Sequence, residues 1–179
     1  MLKLDDPAWK ELWHCYGDGT DVPPKLLRIE NSKALPKAFW DDFSNVLCHQ
    51  CTIGTASIAA FPHLVRIAGS DPKSKKALQC MELAALILTL ALGRENQLPK
   101  LEKRLDKPFR QAISEGRPIL WSMYDQKRRS MESNMRYLGM ITAFDLRADI
   151  ASFLSEVRLG WLDCPRCESR IEINDLCTW

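Results

Sequence analysis

Apolar positions recur three and four residues apart along nearly the whole chain, the spacing of helices that each bury one face. Asp5 or Asp6 is placed to cap a first helix, with Pro7 in its opening turn and Trp9, Leu12 and Trp13 on one face. Gly17, Gly19 and the Pro23-Pro24 pair break that pattern, and a short helix follows over 25–30. Pro36 opens a helix to about Leu47, striped by Phe39, Phe43, Val46 and Leu47. Gly54 marks a turn before a helix over 55–68, which Pro62 is expected to kink or split. Ser70-Asp71-Pro72 reads as the cap and first turn of a helix reaching Leu92, closed by Gly93. From Ala77 onward that helix is apolar around most of its circumference, which predicts neighbours on several sides and a central place in the fold.

Pro99 starts the next helix, with Leu101, Leu105, Phe109, Ala112 and Ile113 inward, a kink at Pro108, a stop at Gly116 and a fresh start at Pro118. Residues 130–157 read as a helical hairpin. Met131, Met135, Leu138 and Ile141 keep helical spacing, Asp145 interrupts as a cap, and Leu146, Ile150, Phe153, Leu154 and Val157 form a second stripe. Repeated helix pairs predict an all-α fold of stacked helical hairpins, either a HEAT-like α-solenoid or an irregular bundle, without a clean fixed-period repeat. From Trp161 the pattern alternates around Cys164-Pro165-Arg166-Cys167, as in a small β-hairpin at a cysteine knuckle. The expected organisation is a helical domain over 1–158 and a cysteine-knuckle appendage over 159–179.

A length of 179 residues suits one domain with a small appendage. A net charge of +2 gives no pull toward nucleic acid or an anionic membrane. The most apolar stretch, 81–92, carries Glu82 and is far shorter than the roughly 20 residues a membrane span needs, so a buried helix is expected. The charged opening of the sequence does not read as a secretory signal, which implies a cytoplasmic protein whose seven cysteines are mostly reduced thiols.

Two thiolates in a Cys-x-x-Cys turn can share a tetrahedral zinc, so Cys164 and Cys167 are metal candidates, with Cys177 as a third ligand. The fourth ligand would come from elsewhere, such as His14, Cys15 or the Cys48 region; a knuckle that no longer holds metal is the competing reading. Cys48-His49-Gln50-Cys51 is a second Cys-x-x-Cys, open to redox chemistry in a thioredoxin-like setting. No strand pattern surrounds it, so buried free thiols are expected. His63, after Pro62, can bond a carbonyl freed by the kink, and His49 can bond orphan carbonyls at a helix end. A catalytic reading would pair a histidine with Cys51 or Ser57, and nothing fixes a third orienting group. The basic runs Lys73, Lys75, Lys76 and Lys127, Arg128, Arg129 read as solvated helix faces, and Trp9, Trp13, Trp40 and Trp121 as core.

The segment 40–68, WDDFSNVLCHQCTIGTASIAAFPHLVRIA, resembles one found in small bacterial HEAT-like helical proteins of the immunity type associated with polymorphic toxins. The matching positions include His49, Gln50, Gly54, Ser57, Pro62 and His63; Cys51 stands where glycine is usual and Ile58 where tyrosine is usual. The resemblance implies a non-enzymatic protein that neutralises a cognate toxin by direct binding, with no cofactor. The alternative is a zinc-binding regulator or adaptor using the C-terminal cysteines.

Overall fold

The computed structural model describes residues 1–50, 52–93, 101–124, 131–147, 151, 161–163 and 170–172. Six α-helices stand among them: α1 (Val22–Asn31), α2 (Lys37–Leu47), α3 (Thr55–Ser70), α4 (Lys75–Leu92), α5 (Lys103–Met123) and α6 (Met131–Phe144). The helical class expected from the spacing is the class observed. Three two-stranded antiparallel ladders accompany the helices: β1 (Trp13–His14) with β2 (Gly17–Asp18), β3 (Cys48–His49) with β4 (Thr52–Ile53), and β5 (Trp161–Asp163) with β6 (Arg170–Glu172).

The first turn of the chain departs from its expected form. Asp6 does cap, accepting from the Ala8 N–H at 2.9 Å, but the element is a short 3-10 turn over Pro7–Glu11. Leu12 leaves it in extended conformation, and its carbonyl accepts from the Gly19 N–H at 2.8 Å. The chain therefore doubles back as the β1–β2 hairpin, and Trp13 ends up exposed while Trp9 and Leu12 are buried. Helix α1 begins earlier than expected, because Pro23 and Pro24 occupy its first turn, where a missing N–H costs nothing. Helix α2 follows Pro36 as expected and buries Phe39, Trp40, Phe43, Val46 and Leu47.

Helix α3 is the hub. It packs on α4, α5 and α1, and its buried residues run almost without interruption from Ala56 to Ala68. Helix α4 has the neighbours on several sides expected for 77–92, packing on α3, α6, β4 and α2, with Leu86 left exposed; it shares the centre with α3. Helix α3 passes through Pro62 without splitting. The ring removes one ladder hydrogen bond, and burial on several sides keeps the helix whole. Helix α4 starts at Lys75 because Ser74, not Ser70, is the cap: its Oγ accepts from the Ala77 N–H at 3.0 Å. Gly93 closes it as expected.

Helix α5 is continuous through Pro108, Gly116 and Pro118, where a stop and restart were expected. Gly116 serves packing instead. A Cβ there would lie 2.1 Å from the Phe144 ring, so its absence lets α6 seat Phe144 against α5. Leu105, Phe109, Ala112 and Ile113 face inward as expected. In α6, Leu138 is exposed, against expectation, and Tyr137, Met140, Ile141 and Phe144 are buried.

Helix α6 ends in a doubly bonded turn. The Leu146 N–H donates to the Ala143 carbonyl and the Arg147 N–H to the Thr142 carbonyl, each at 2.9 Å, with Leu146 at φ 61°. That left-handed position suits glycine, and Leu146 is exposed, so its side chain gains little there. Leu146→Gly is expected to stabilise the fold by about 1 kcal/mol, read as a higher urea midpoint at unchanged slope.

Hairpin α3–α4 lies on the pair α5–α6, α3 against α5 and α4 against α6. Phe61 of α3 joins the layers, its ring 4.4 Å from Phe109 and 5.7 Å from Phe144 between centroids. The second stripe beyond Leu146, the 158/159 boundary and the 164–169 knuckle lie outside the described residues, as do Pro99, Cys177 and the basic run 127–129. No described helix is long and apolar enough to cross a membrane.

Candidate functional site: a paired-hairpin face

Two small hairpins meet at one end of the helical body. The first, β1–β2, turns at Cys15-Tyr16; the second, β3–β4, joins α2 to α3. Their contacts are specific. The Trp13 N–H donates to Thr55 Oγ1 at 3.1 Å, Cys15 Sγ lies 3.6 Å from the Thr52 carbonyl, and the Tyr16 hydroxyl shares a 2.8 Å hydrogen bond with His49 Nδ1. The Tyr16 ring also leans on the His49 ring, 5.1 Å between centroids.

Gly54 makes this meeting possible. It precedes α3 as its cap, and a Cβ on it would stand 2.1 Å from the Trp13 carbonyl oxygen. Ser57, one turn into α3, has its side chain fully buried. Its Oγ donates to the Leu47 carbonyl at 2.5 Å and accepts from the Gly54 N–H at 3.2 Å. One hydroxyl thus satisfies the last carbonyl of α2 and the cap of α3. Gln50 sits exposed in the β3–β4 turn at φ 46°.

His63 lies deeper. Its Nε2 donates to the Leu2 carbonyl at 2.9 Å, which straps the N-terminal segment to α3, and its ring lies 6.2 Å from that of Trp9. The expected partner was a carbonyl freed by Pro62; the observed one comes from the far end of the sequence. Burial pushes the imidazole down to about 4, and its Nδ1 is enclosed without a hydrogen-bond partner among the described residues. The neutral ring is therefore the folded form. In the unfolded chain histidine titrates near 6.5, so between these values the unfolded state binds more protons. Stability from this group is complete above pH 6.5 and is lost as the pH falls toward 4, by about 3 kcal/mol. Urea unfolding across this range should show that loss, and His63→Gln should flatten this part of the profile.

Beneath Tyr16 opens a cleft of about 550 Å³, bordered by Asp18, Asp21, Lys25, Asp42 and Asn45. His14 forms its inner wall. Its Nδ1 accepts from the Tyr16 N–H at 3.2 Å, which places the ring proton on Nε2, where it donates to Asp21 Oδ1 at 2.9 Å. Burial works against charge on Asp21, but the Lys25 ammonium at 2.8 Å and the nearby imidazole more than offset it, and the carboxyl sits below its ordinary range. The Thr20 hydroxyl and N–H hold Asp18 low in the same way. Both ring nitrogens of His14 are thus committed to holding the hairpin.

The residues expected to carry chemistry are therefore spread among structural tasks. His49 supports Tyr16, Gly54 and Ser57 join hairpin to helix, and His63 holds the N-terminal strap. Ser57 faces a carbonyl rather than a histidine, so the Ser–His pairing is not formed. Burial raises the Cys48 thiol above its ordinary range and pushes the buried Cys80 thiol up to about 12. Cys51, Cys164, Cys167 and Cys177 lie outside the described residues; among the described ones no cluster of three metal-ligating side chains occurs. Lys73 and Lys75 are exposed as expected, whereas Lys76 donates to the carbonyls of Glu30 and Ser32, at 3.2 and 2.9 Å, and closes the end of α1. Trp9 and Trp40 are core; Trp13, 49% exposed, and Trp121, 57% exposed, are not.

Sequence reasoning missed Tyr16 and the whole β1–β2 hairpin. The only local signal was the Tyr-Gly-Asp-Gly run, which reads equally well as a helix stop. No protein-family model, curated protein or solved structure matches this chain.

Proposed function

We propose that this protein is a non-enzymatic binding module of the immunity type, which neutralises a cognate toxin by docking it on the paired-hairpin face. The observation that carries the reading is the presentation of Trp13 and Tyr16, 49% and 61% exposed, on a hairpin fixed by hydrogen bonds to Thr55 Oγ1 and with His49. Large aromatics held rigid at a surface lose little conformational entropy on binding and dominate the energetics of protein interfaces. The cleft beside them adds carboxylates at Asp18 and Asp42 that suit a polar rim. The stacking of α3–α4 on α5–α6 supports a short HEAT-like arrangement, a scaffold suited to carrying a protein-binding surface. The resemblance of 40–68 to immunity-type proteins points to a toxin as the partner. Of its shared residues, His49, Gly54 and Ser57 support the face from behind.

The test is co-expression of the full chain with the toxin-like product of the adjoining gene. A stoichiometric complex and restored growth are expected. Trp13→Ala and Tyr16→Ala should each weaken binding at least tenfold while leaving thermal stability within a few degrees. Failure of every adjoining product to bind, or full affinity in both variants, would overturn the reading.

A further inference from the structure

Cys15 and Cys48 come from different hairpins, Cys48 at the edge of the core and Cys15 in the turn beside Tyr16. Both are free thiols and both are half-buried. The Cys15 side chain crosses onto the second hairpin, its Sγ 3.6 Å from the Thr52 carbonyl. Thr52 pairs with His49, and the next rung of that ladder pairs Ile53 with Cys48. Cys15 is thus anchored one rung from Cys48. The contact between Tyr16 and His49, the residues that follow these two cysteines, holds the same register from the other side. The two thiols are close enough that charge on Cys15 acts on Cys48.

We propose that Cys15 and Cys48 form a reversible disulfide that latches the first hairpin to the second. The oxidant is a low-molecular-weight disulfide of the glutathione class. The Cys15 thiolate attacks one of its sulfurs, forming a mixed disulfide and releasing one thiolate. Cys48 then gives its proton to water, and its thiolate attacks the Cys15 sulfur, expelling the second small thiol. The protein loses two electrons, the oxidant gains them, and the products are one protein disulfide and two small thiols. Burial of Cys48 disfavours its thiolate, so closure is slow. The latch ties the first hairpin, on which Trp13 and Tyr16 stand, to the second, which supports it, and it restricts their separation in the unfolded chain. It does not depend on the identity of the partner.

The test uses the full-length protein, incubated with oxidised glutathione, alkylated and mapped by non-reducing mass spectrometry. The expected result is one dominant cross-linked peptide joining Cys15 to Cys48. It should be reversed by dithiothreitol, abolished in Cys15→Ser and retained in Cys51→Ser. The oxidised protein should also melt at a higher temperature than the reduced protein. Mapping of the unsubstituted chain decides the matter even where a variant folds poorly. A Cys48–Cys51 bridge as the main product, stable mixed disulfides without cross-linking, or an unchanged map in a folded Cys15→Ser variant would each overturn the proposal.

Discussion

Gly54→Ala should destabilise the protein by about 3 kcal/mol or more, although it adds a single methyl group. The new Cβ would sit 2.1 Å from the Trp13 carbonyl oxygen and 2.8 Å from Trp13 Cε3. The closest atom is backbone, so no side-chain rotation relieves the clash. Either the first hairpin lifts from α3 or the cap of α3 shifts. Both moves strain the Ser57 hydroxyl, which ties Gly54 to Leu47. The backbone at Gly54 is ordinary extended chain, at φ −108°, so space rather than conformation sets the cost. Gly17 is the control. It lies in the same hairpin pair, and a Cβ there meets nothing within 4 Å. Gly17→Ala should change stability by no more than about 0.5 kcal/mol. Urea unfolding of the two variants side by side measures the difference.

Phe61→Ala should cost about 4 kcal/mol. Phe61 is fully buried on α3, with the rings of Phe109 from α5 and Phe144 from α6 against it. Removing it leaves a void at the point where three helices meet, and close-packed neighbours collapse only in part. Phe144 is itself seated against Gly116, so it has little freedom to fill the space. Phe61→Leu keeps most of the volume and should cost about 1.5 kcal/mol. A shallow loss in both variants would mean that α3 is not the hub. Equilibrium unfolding by urea, followed by tryptophan fluorescence and far-ultraviolet circular dichroism, separates these outcomes.

The helices were legible because their signal is local and repeated. Phe39, Phe43, Val46 and Leu47 fall on one face of α2, and Leu105, Phe109, Ala112 and Ile113 on one face of α5. Punctuation was less legible, because proline and glycine carry more than one meaning. Pro23 and Pro24 read as a break and proved to be a first turn. Gly116 read as a stop and proved to be a contact with Phe144, which depends on a residue 28 positions away. The two hairpins of the candidate face were illegible for a related reason. Each of their strands has two residues, too few for alternation to register. They are specified by tertiary partners, Gly54 against Trp13 and His49 against Tyr16. The candidate site was therefore half visible. His49, Gly54 and Ser57 stood out by resemblance, but the exposed aromatics they support did not.

Direct titration of the proposed partner, the toxin-like product of an adjoining gene, into the full chain, compared among wild type, Trp13→Ala and His63→Gln near neutral pH, tests the central claim. The account predicts one-to-one binding by wild type, a loss of at least tenfold in Trp13→Ala, and wild-type affinity in His63→Gln, whose change lies behind the face. Equal affinity in Trp13→Ala, or a selective loss in a folded His63→Gln, would contradict it.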